Sequence, residues 1–126
     1  MSPTHRPALF VVAIALCIVS NTMNAMNIFH RTDEFDDWLS ALKDRIGRAR
    51  IAQRIDSAAA GNFGDCGPVG DGVSEMRVHV GPGYRIYFTR IGEIVYLLMV
   101  GGDKSSQKRD IKRALAMAQE LKRTEQ

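Results

Sequence analysis

The chain has 126 residues, 45% of them hydrophobic and 25% charged, proportions of an ordinary folded domain that exclude a disordered chain and a polytopic membrane protein. At this length one hydrophobic core is all it can build, so an enzyme with separate cofactor and substrate lobes is excluded too. Seventeen Lys and Arg against fourteen Asp and Glu leave a formal charge of +3, compatible with a polyanionic partner without demanding one.

From Ala8 to Val19 every residue is apolar. The run is too short to span a bilayer, which takes about 20 residues, and has the form of a short signal-peptide core behind Arg6. Met23 stands where a cleavage site wants a small residue, and Leu16 precedes Cys17 where a lipoprotein signal wants a different neighbour. The expectation is therefore translation from Met26, with 1–25 a signal-like or upstream extension and 26–126 the working domain. That domain is expected in the cytoplasm without stable membrane association; export is the alternative if the apolar run is a real signal. Cys17 and Cys66 make neither a disulfide framework nor a CxxC pair, which suits a reducing compartment. His5, His30 and His79 have no spacing that gathers a metal, so neither metal nor cofactor is expected.

Residues 27–31 read as an edge strand. Thr32 or Asp33 then caps a helix whose Phe35, Trp38, Leu39 and Leu42 recur at three- and four-residue steps, one buried stripe. After a joint near Gly47, a second helix sets Ile51, Ile55 and Ala58 or Ala59 inward, with Lys43, Arg45, Arg48, Arg50 and Arg54 toward solvent. Ten of the eleven glycines fall between 61 and 102, so the grammar changes from helical to turn-rich. Residues 61–72 read as a loop by composition. Residues 73–80 alternate with Met76, Val78 and Val80 toward the core, Gly81-Pro82-Gly83 turns the chain into 84–90, and 93–100 is apolar enough for a central strand. Ser105 or Ser106 is expected to cap a last helix in which Ile111, Ala114, Leu115, Ala118 and Leu121 share a face and Lys108, Arg109, Lys112, Arg113, Lys122 and Arg123 make the outside basic. The fold class is thus α+β: strand, two helices, a three-stranded antiparallel meander and a C-terminal helix, the helices packed on one face of a curved sheet.

Several segments resemble a known family. They are Phe35-Asp36-Asp37-Trp38-Leu39, Gly61-Asn62 with Gly64-Asp65, Gly72-Val73 with Glu75 and Arg77, Gly81-Pro82-Gly83-Tyr84-Arg85-Ile86-Tyr87-Phe88, and Gly101-Gly102-Asp103-Lys104 with Gln107 and Asp110-Ile111. Together they are similar to the HigB-like, phage-related addiction-module killer proteins of the RelE/ParE toxin superfamily, over about residues 28–121. The resemblance implies the toxin of a type II toxin–antitoxin system, with a cognate helix-turn-helix antitoxin as partner. RelE and HigB toxins are mRNA interferases, metal-independent endoribonucleases that inhibit translation by cutting mRNA on the ribosome. ParE toxins share the fold and inhibit DNA gyrase without being enzymes, which is the alternative function and partner.

Carried over by motif, the resemblance puts an RNA-cutting site at Arg77, His79, Arg85 and Lys104, while Asp110 stands where RelE has a base-stacking tyrosine. Tyr87 or Phe63 would have to replace that ring. Arg48, Lys108 and Lys112 are candidates for binding the RNA backbone. The residue types suit the chemistry. A histidine titrates near neutrality and can take a 2′-hydroxyl proton, arginines stabilise the phosphorane charge, and Lys104 can assist the leaving oxygen. Each residue also has a structural alternative: His79 a solvated surface group, Arg77 a cross-strand partner of Glu75 or Glu93, Arg85 a brace for the Gly-Pro-Gly turn, and Lys104 a complement to nearby charges.

Overall fold

In a computed structural model the described residues are 26–125. The apolar run at 8–19, Cys17 and the reading of 1–25 as an extension lie outside them. The elements in order are β1 (Ile28–Arg31), α1 (Asp33–Ala41), α2 (Arg45–Ala59), β2 (Cys66–Gly70), β3 (Val73–Val78), β4 (Tyr84–Arg90), β5 (Val95–Asp103), a 3-10 turn (Lys104–Ser106) and α3 (Gln107–Glu125). The five strands form one sheet in the order β1-β5-β4-β3-β2, with β1 parallel to β5 and the other pairs antiparallel. The chain is therefore α+β, as its periodicities predict. Among the described residues no helix is long and apolar enough to cross a membrane.

Two expectations are corrected. The glycine-rich stretch 61–72 contains β2, so the meander has four strands rather than three. The helices also cover both faces of the sheet instead of one. Phe35, Ile51, Ile55 and Ala58 of α1 and α2 pack with Met76, Val78, Tyr84, Ile86, Phe88 and Leu98 on one side. Ala114 and Ala118 of α3 pack with Val73, Tyr87, Met99 and Val100 on the other. Between Tyr87 and Phe88 the β4–β5 register slips by one residue, which lets the adjacent Met99 and Val100 both serve the α3 cluster.

Helix starts are set by side chains that also tie the layers together. Thr32 Oγ1 accepts from the Phe35 N–H at 3.0 Å and donates to the Met99 carbonyl at 2.7 Å, capping α1 and fixing it to β5. Asp33, Glu34 and Asp36 in the first turn complement the helix dipole. The expected serine cap of α3 is not seen: Asp103 caps the 3-10 turn that leads into it, and Ser105 and Ser106 lie inside that turn. The glycine pair ending β5 is required by close approach from both layers. A Cβ at Gly101 would lie 2.2 Å from Trp38 Cε3 of α1, and one at Gly102 would lie 1.9 Å from Asp110 Oδ2 of α3. Gly101→Ala is therefore expected to cost about 2–3 kcal/mol in urea unfolding. A loss below about 0.5 kcal/mol would show that Trp38 moves aside freely.

Asp44 joins α2 to β4. Its carboxylate caps α2 by accepting from the Gly47 N–H at 3.0 Å and also accepts from the Tyr84 hydroxyl at 2.7 Å. Those two hydrogen bonds, Gly47 first, hold the Asp44 carboxyl below its ordinary range. Burial, then the Asp44 contact, pushes the Tyr84 phenol up to about 12. The depressed carboxyl contributes stability that is present above its unfolded pKa and lost as pH falls through the folded one. The raised phenol contributes stability that is present below its unfolded pKa and lost as pH rises toward about 12. The melting temperature should fall below about pH 4 and above about pH 10. Tyr84→Phe should blunt the alkaline fall; an alkaline arm identical to the wild type would contradict this assignment.

Candidate anion-binding site at the β3–β4 turn

The β3–β4 ladder sets the site. Arg77 lies directly opposite Arg85, and Glu75 opposite Tyr87, so all four side chains leave the sheet on the α3 face. Like charges facing each other across a ladder repel, and acidic side chains divide the pair. Arg77 donates from Nη1 to Asp65 Oδ1 at 2.8 Å and from Nε to Glu75 Oε1 at 3.2 Å. Those contacts, Asp65 first, raise its already high pKa. Arg85 has no such engagement: its Nε is buried without a hydrogen-bond partner among the described residues.

Beyond the strand ends the chain turns through Val80–Gly83, with left-handed backbone at Gly81 (φ 55°) and Gly83 (φ 83°). The Gly83 N–H donates to the Val80 carbonyl at 3.0 Å. His79, Arg85 and Lys104, with this turn, line an open pocket of about 390 Å³. Among the described residues no carboxylate lines it. Lys104 also borders a second pocket of about 570 Å³ with Ser105, Ser106, Gln107, Lys108 and Arg109. The two pockets meet at Lys104 in one basic band, suited to a phosphate and its neighbours along a chain.

His79 is 68% exposed, and its Nε2 lies 2.6 Å from Asp65 Oδ2. Hydrogen bonds from His79 and then Arg77 hold the Asp65 carboxyl below its ordinary range. Among the described residues no group of three or more His, Cys, Asp and Glu side chains is placed to hold a metal ion.

No family model matches the chain. An uncharacterized protein of Haemophilus influenzae is 47% identical over 87 residues, which cover 69% of this chain and 88% of that protein. The chain belongs to the same family as that protein.

Of the residues expected at the site, the pocket gathers His79, Arg85 and Lys104. Lys108 borders the adjoining pocket, and Lys112 lies exposed one turn further along α3. Arg77 is a correction: its guanidinium is committed to Asp65 and Glu75 and does not line the pocket. Its pairing with Glu75 is one of the alternatives open from sequence. Tyr87 is a second correction. It is fully buried, its hydroxyl donates to Glu75 Oε2 at 3.0 Å, and no base can stack on it. Phe63 is partly buried and packs among Phe29, Phe88 and Tyr96 with the cluster on the α1 and α2 face of the sheet, so it does not reach this pocket. Arg48 is exposed on α2, the helix that covers the opposite face of the sheet, so it does not extend this pocket.

Sequence reasoning missed four groups. Asp65, within the glycine-rich segment, joins Arg77 to His79. Glu75 is buried at 2% exposure and accepts from Gln107 Nε2 at 2.7 Å as well as from Tyr87 and Arg77. Arg54, expected on the solvent side of α2, instead donates to the carbonyls of Phe63, Asp65 and Arg77, pinning the 63–65 loop against β3. Arg113, expected on an outer basic stripe, pairs with Glu34 of α1 at 2.9 Å. That exposed pair contributes about 1 kcal/mol or less.

Proposed function

We propose that the chain is the toxin of a type II toxin–antitoxin system in the RelE/ParE superfamily, a HigB-like mRNA interferase that cuts mRNA on the ribosome. The observation that carries this reading is the convergence of His79, Arg85 and Lys104 on one pocket without a carboxylate in its lining. The motif resemblance over about residues 28–121 and the α+β order of strand, two helices, antiparallel strands and final helix support it.

These side chains suffice for cleavage by transesterification. His79 takes the proton from a 2′-hydroxyl as that oxygen forms its bond to the adjacent phosphorus. Arg85, which lines the pocket, stabilises the negative charge of the phosphorane through its guanidinium. The bond from phosphorus to the 5′-oxygen then breaks, and the leaving oxygen takes a proton from the Lys104 ammonium. The products are a 2′,3′-cyclic phosphate and a 5′-hydroxyl end. With Tyr87 in the core and Phe63 packed on the opposite face of the sheet, binding rests on cations along the RNA backbone, Lys108 and Lys112 continuing the band from Lys104.

The partners in this reading are the ribosome with its mRNA, and a helix-turn-helix antitoxin that neutralises the chain. Induction in cells tests it. Growth arrest with mRNA cut at defined codon positions, lost in both Arg85→Ala and His79→Ala, is expected. DNA-damage signalling with intact mRNA would overturn it in favour of gyrase inhibition.

A further inference from the structure

The pocket leaves open how exposed His79 is held for proton transfer. His79 follows the end of β3 and has only 32% of its side-chain surface covered, since 68% is exposed. A free surface imidazole samples several rotamers and both neutral tautomers. Here the ring is held from one side by Asp65, whose Oδ2 lies 2.6 Å from Nε2. Asp65 is itself anchored three times. Its other carboxylate oxygen accepts from Arg77 Nη1 at 2.8 Å, its carbonyl accepts from the Arg77 N–H at 2.9 Å, and Arg54 Nη2 reaches the same carbonyl at 3.4 Å. Arg77 is in turn braced by buried Glu75.

From this chain of contacts we infer that Asp65 is a positioning residue for His79, fixing the neutral ring with its proton on Nε2 and leaving Nδ1 as the atom that accepts the substrate proton. An ionised carboxylate only accepts hydrogen bonds, so the nitrogen facing it must carry hydrogen. Arg77 and Arg54 act one step further back, by holding Asp65 in place. This role accounts for an arginine of the β3 face that does not line the pocket. The inference rests on the nuclease reading only for the identity of the proton donor; the geometry of the dyad is independent of it.

The test has two arms on the full-length chain. In the first, nitrogen-15 histidine spectra of the wild-type protein, with His79 assigned by its loss in His79→Gln, are recorded in alkaline buffer. A neutral ring protonated on Nε2 is expected, and a mixed or Nδ1-protonated population is expected in Asp65→Asn. An identical tautomer in the two proteins would overturn the inference. In the second arm, Asp65→Asn is expected to lower kcat for mRNA cleavage by about 10-fold or more with KM changed less than about threefold. Asp65→Glu should recover part of that loss. In the residual cleavage left to His79→Ala, followed at high protein concentration, adding Asp65→Asn should cost nothing further, because groups that act as a unit are not additive. A full additional loss in that background would assign Asp65 a merely structural role and overturn the inference. If the wild-type chain cuts no RNA the nuclease reading fails, and the tautomer arm still decides whether the dyad exists.

Discussion

Arg85→Ala is expected to lower kcat/KM for ribosome-bound mRNA by about 100- to 1,000-fold, the usual cost of removing one preorganised donor from a developing anionic charge. The same substitution should leave thermal stability nearly unchanged. Among the described residues Arg85 Nε is buried without a partner and the residue lies opposite Arg77, so this side chain adds desolvation of that nitrogen and like-charge repulsion to the free protein. Its removal should move the melting temperature by less than about 4 °C, the equivalent of no more than about 1 kcal/mol for a domain of this size. Arg85→Lys keeps the charge but loses the planar fork, and should lie between the two. Paired kinetics and melting curves check both halves. An Arg85→Ala protein that cuts normally would remove Arg85 from the chemistry, and one that fails to fold would make it a brace for the turn.

Glu75→Leu is expected to do the reverse. Glu75 is 2% exposed and receives the Tyr87 hydroxyl, the Gln107 amide and Arg77 Nε. Burial and this acid also raise the Tyr87 phenol pKa, burial first. Removing the carboxylate strands a buried hydroxyl, unties the first turn of α3 from β3 and leaves part of a guanidinium unpaired. Breaking a buried charged network from one side costs about 3–5 kcal/mol, so the melting temperature should fall by roughly 12 °C or more. Tyr87→Phe should cost less, about 1–2 kcal/mol, because it removes one hydrogen bond and leaves the acid its other partners. Denaturant titration of the three proteins measures both values. A Glu75→Leu protein as stable as the wild type would show that α3 docks through its apolar stripe alone.

The contrast between these two residues shows which parts of the molecule were legible in sequence. Helical periodicity identified Phe35, Ile51, Ile55, Ala58, Ala114 and Ala118 because each helix buries a single stripe. Strand alternation placed Met76 and Val78 inward for the same reason. It failed on the other face of β3, where Glu75 and Arg77 read as solvent-facing although α3 covers that side and buries Glu75. A polar residue that faces a second helical layer has the same spacing as one that faces water. β2 was hidden because Gly67, Pro68 and Gly70 disfavour a strand; an edge position tolerates them because one side of its ladder needs no partner. His79, Arg85 and Lys104 were singled out by motif, and their meeting at one pocket follows from a tight β3–β4 turn beside the end of β5. Asp65 was not found, because nothing in a glycine-rich segment marks which polar residue folds back onto the strand after next.

The most direct test of the central claim is cleavage by the purified chain of a defined mRNA on programmed ribosomes, with product ends identified chemically. The account predicts cuts at defined codon positions, leaving 2′,3′-cyclic phosphate and 5′-hydroxyl ends, with wild-type protein and not with Arg85→Ala. Intact mRNA under those conditions, with loss of supercoiling by purified DNA gyrase at the same protein concentration, would contradict it.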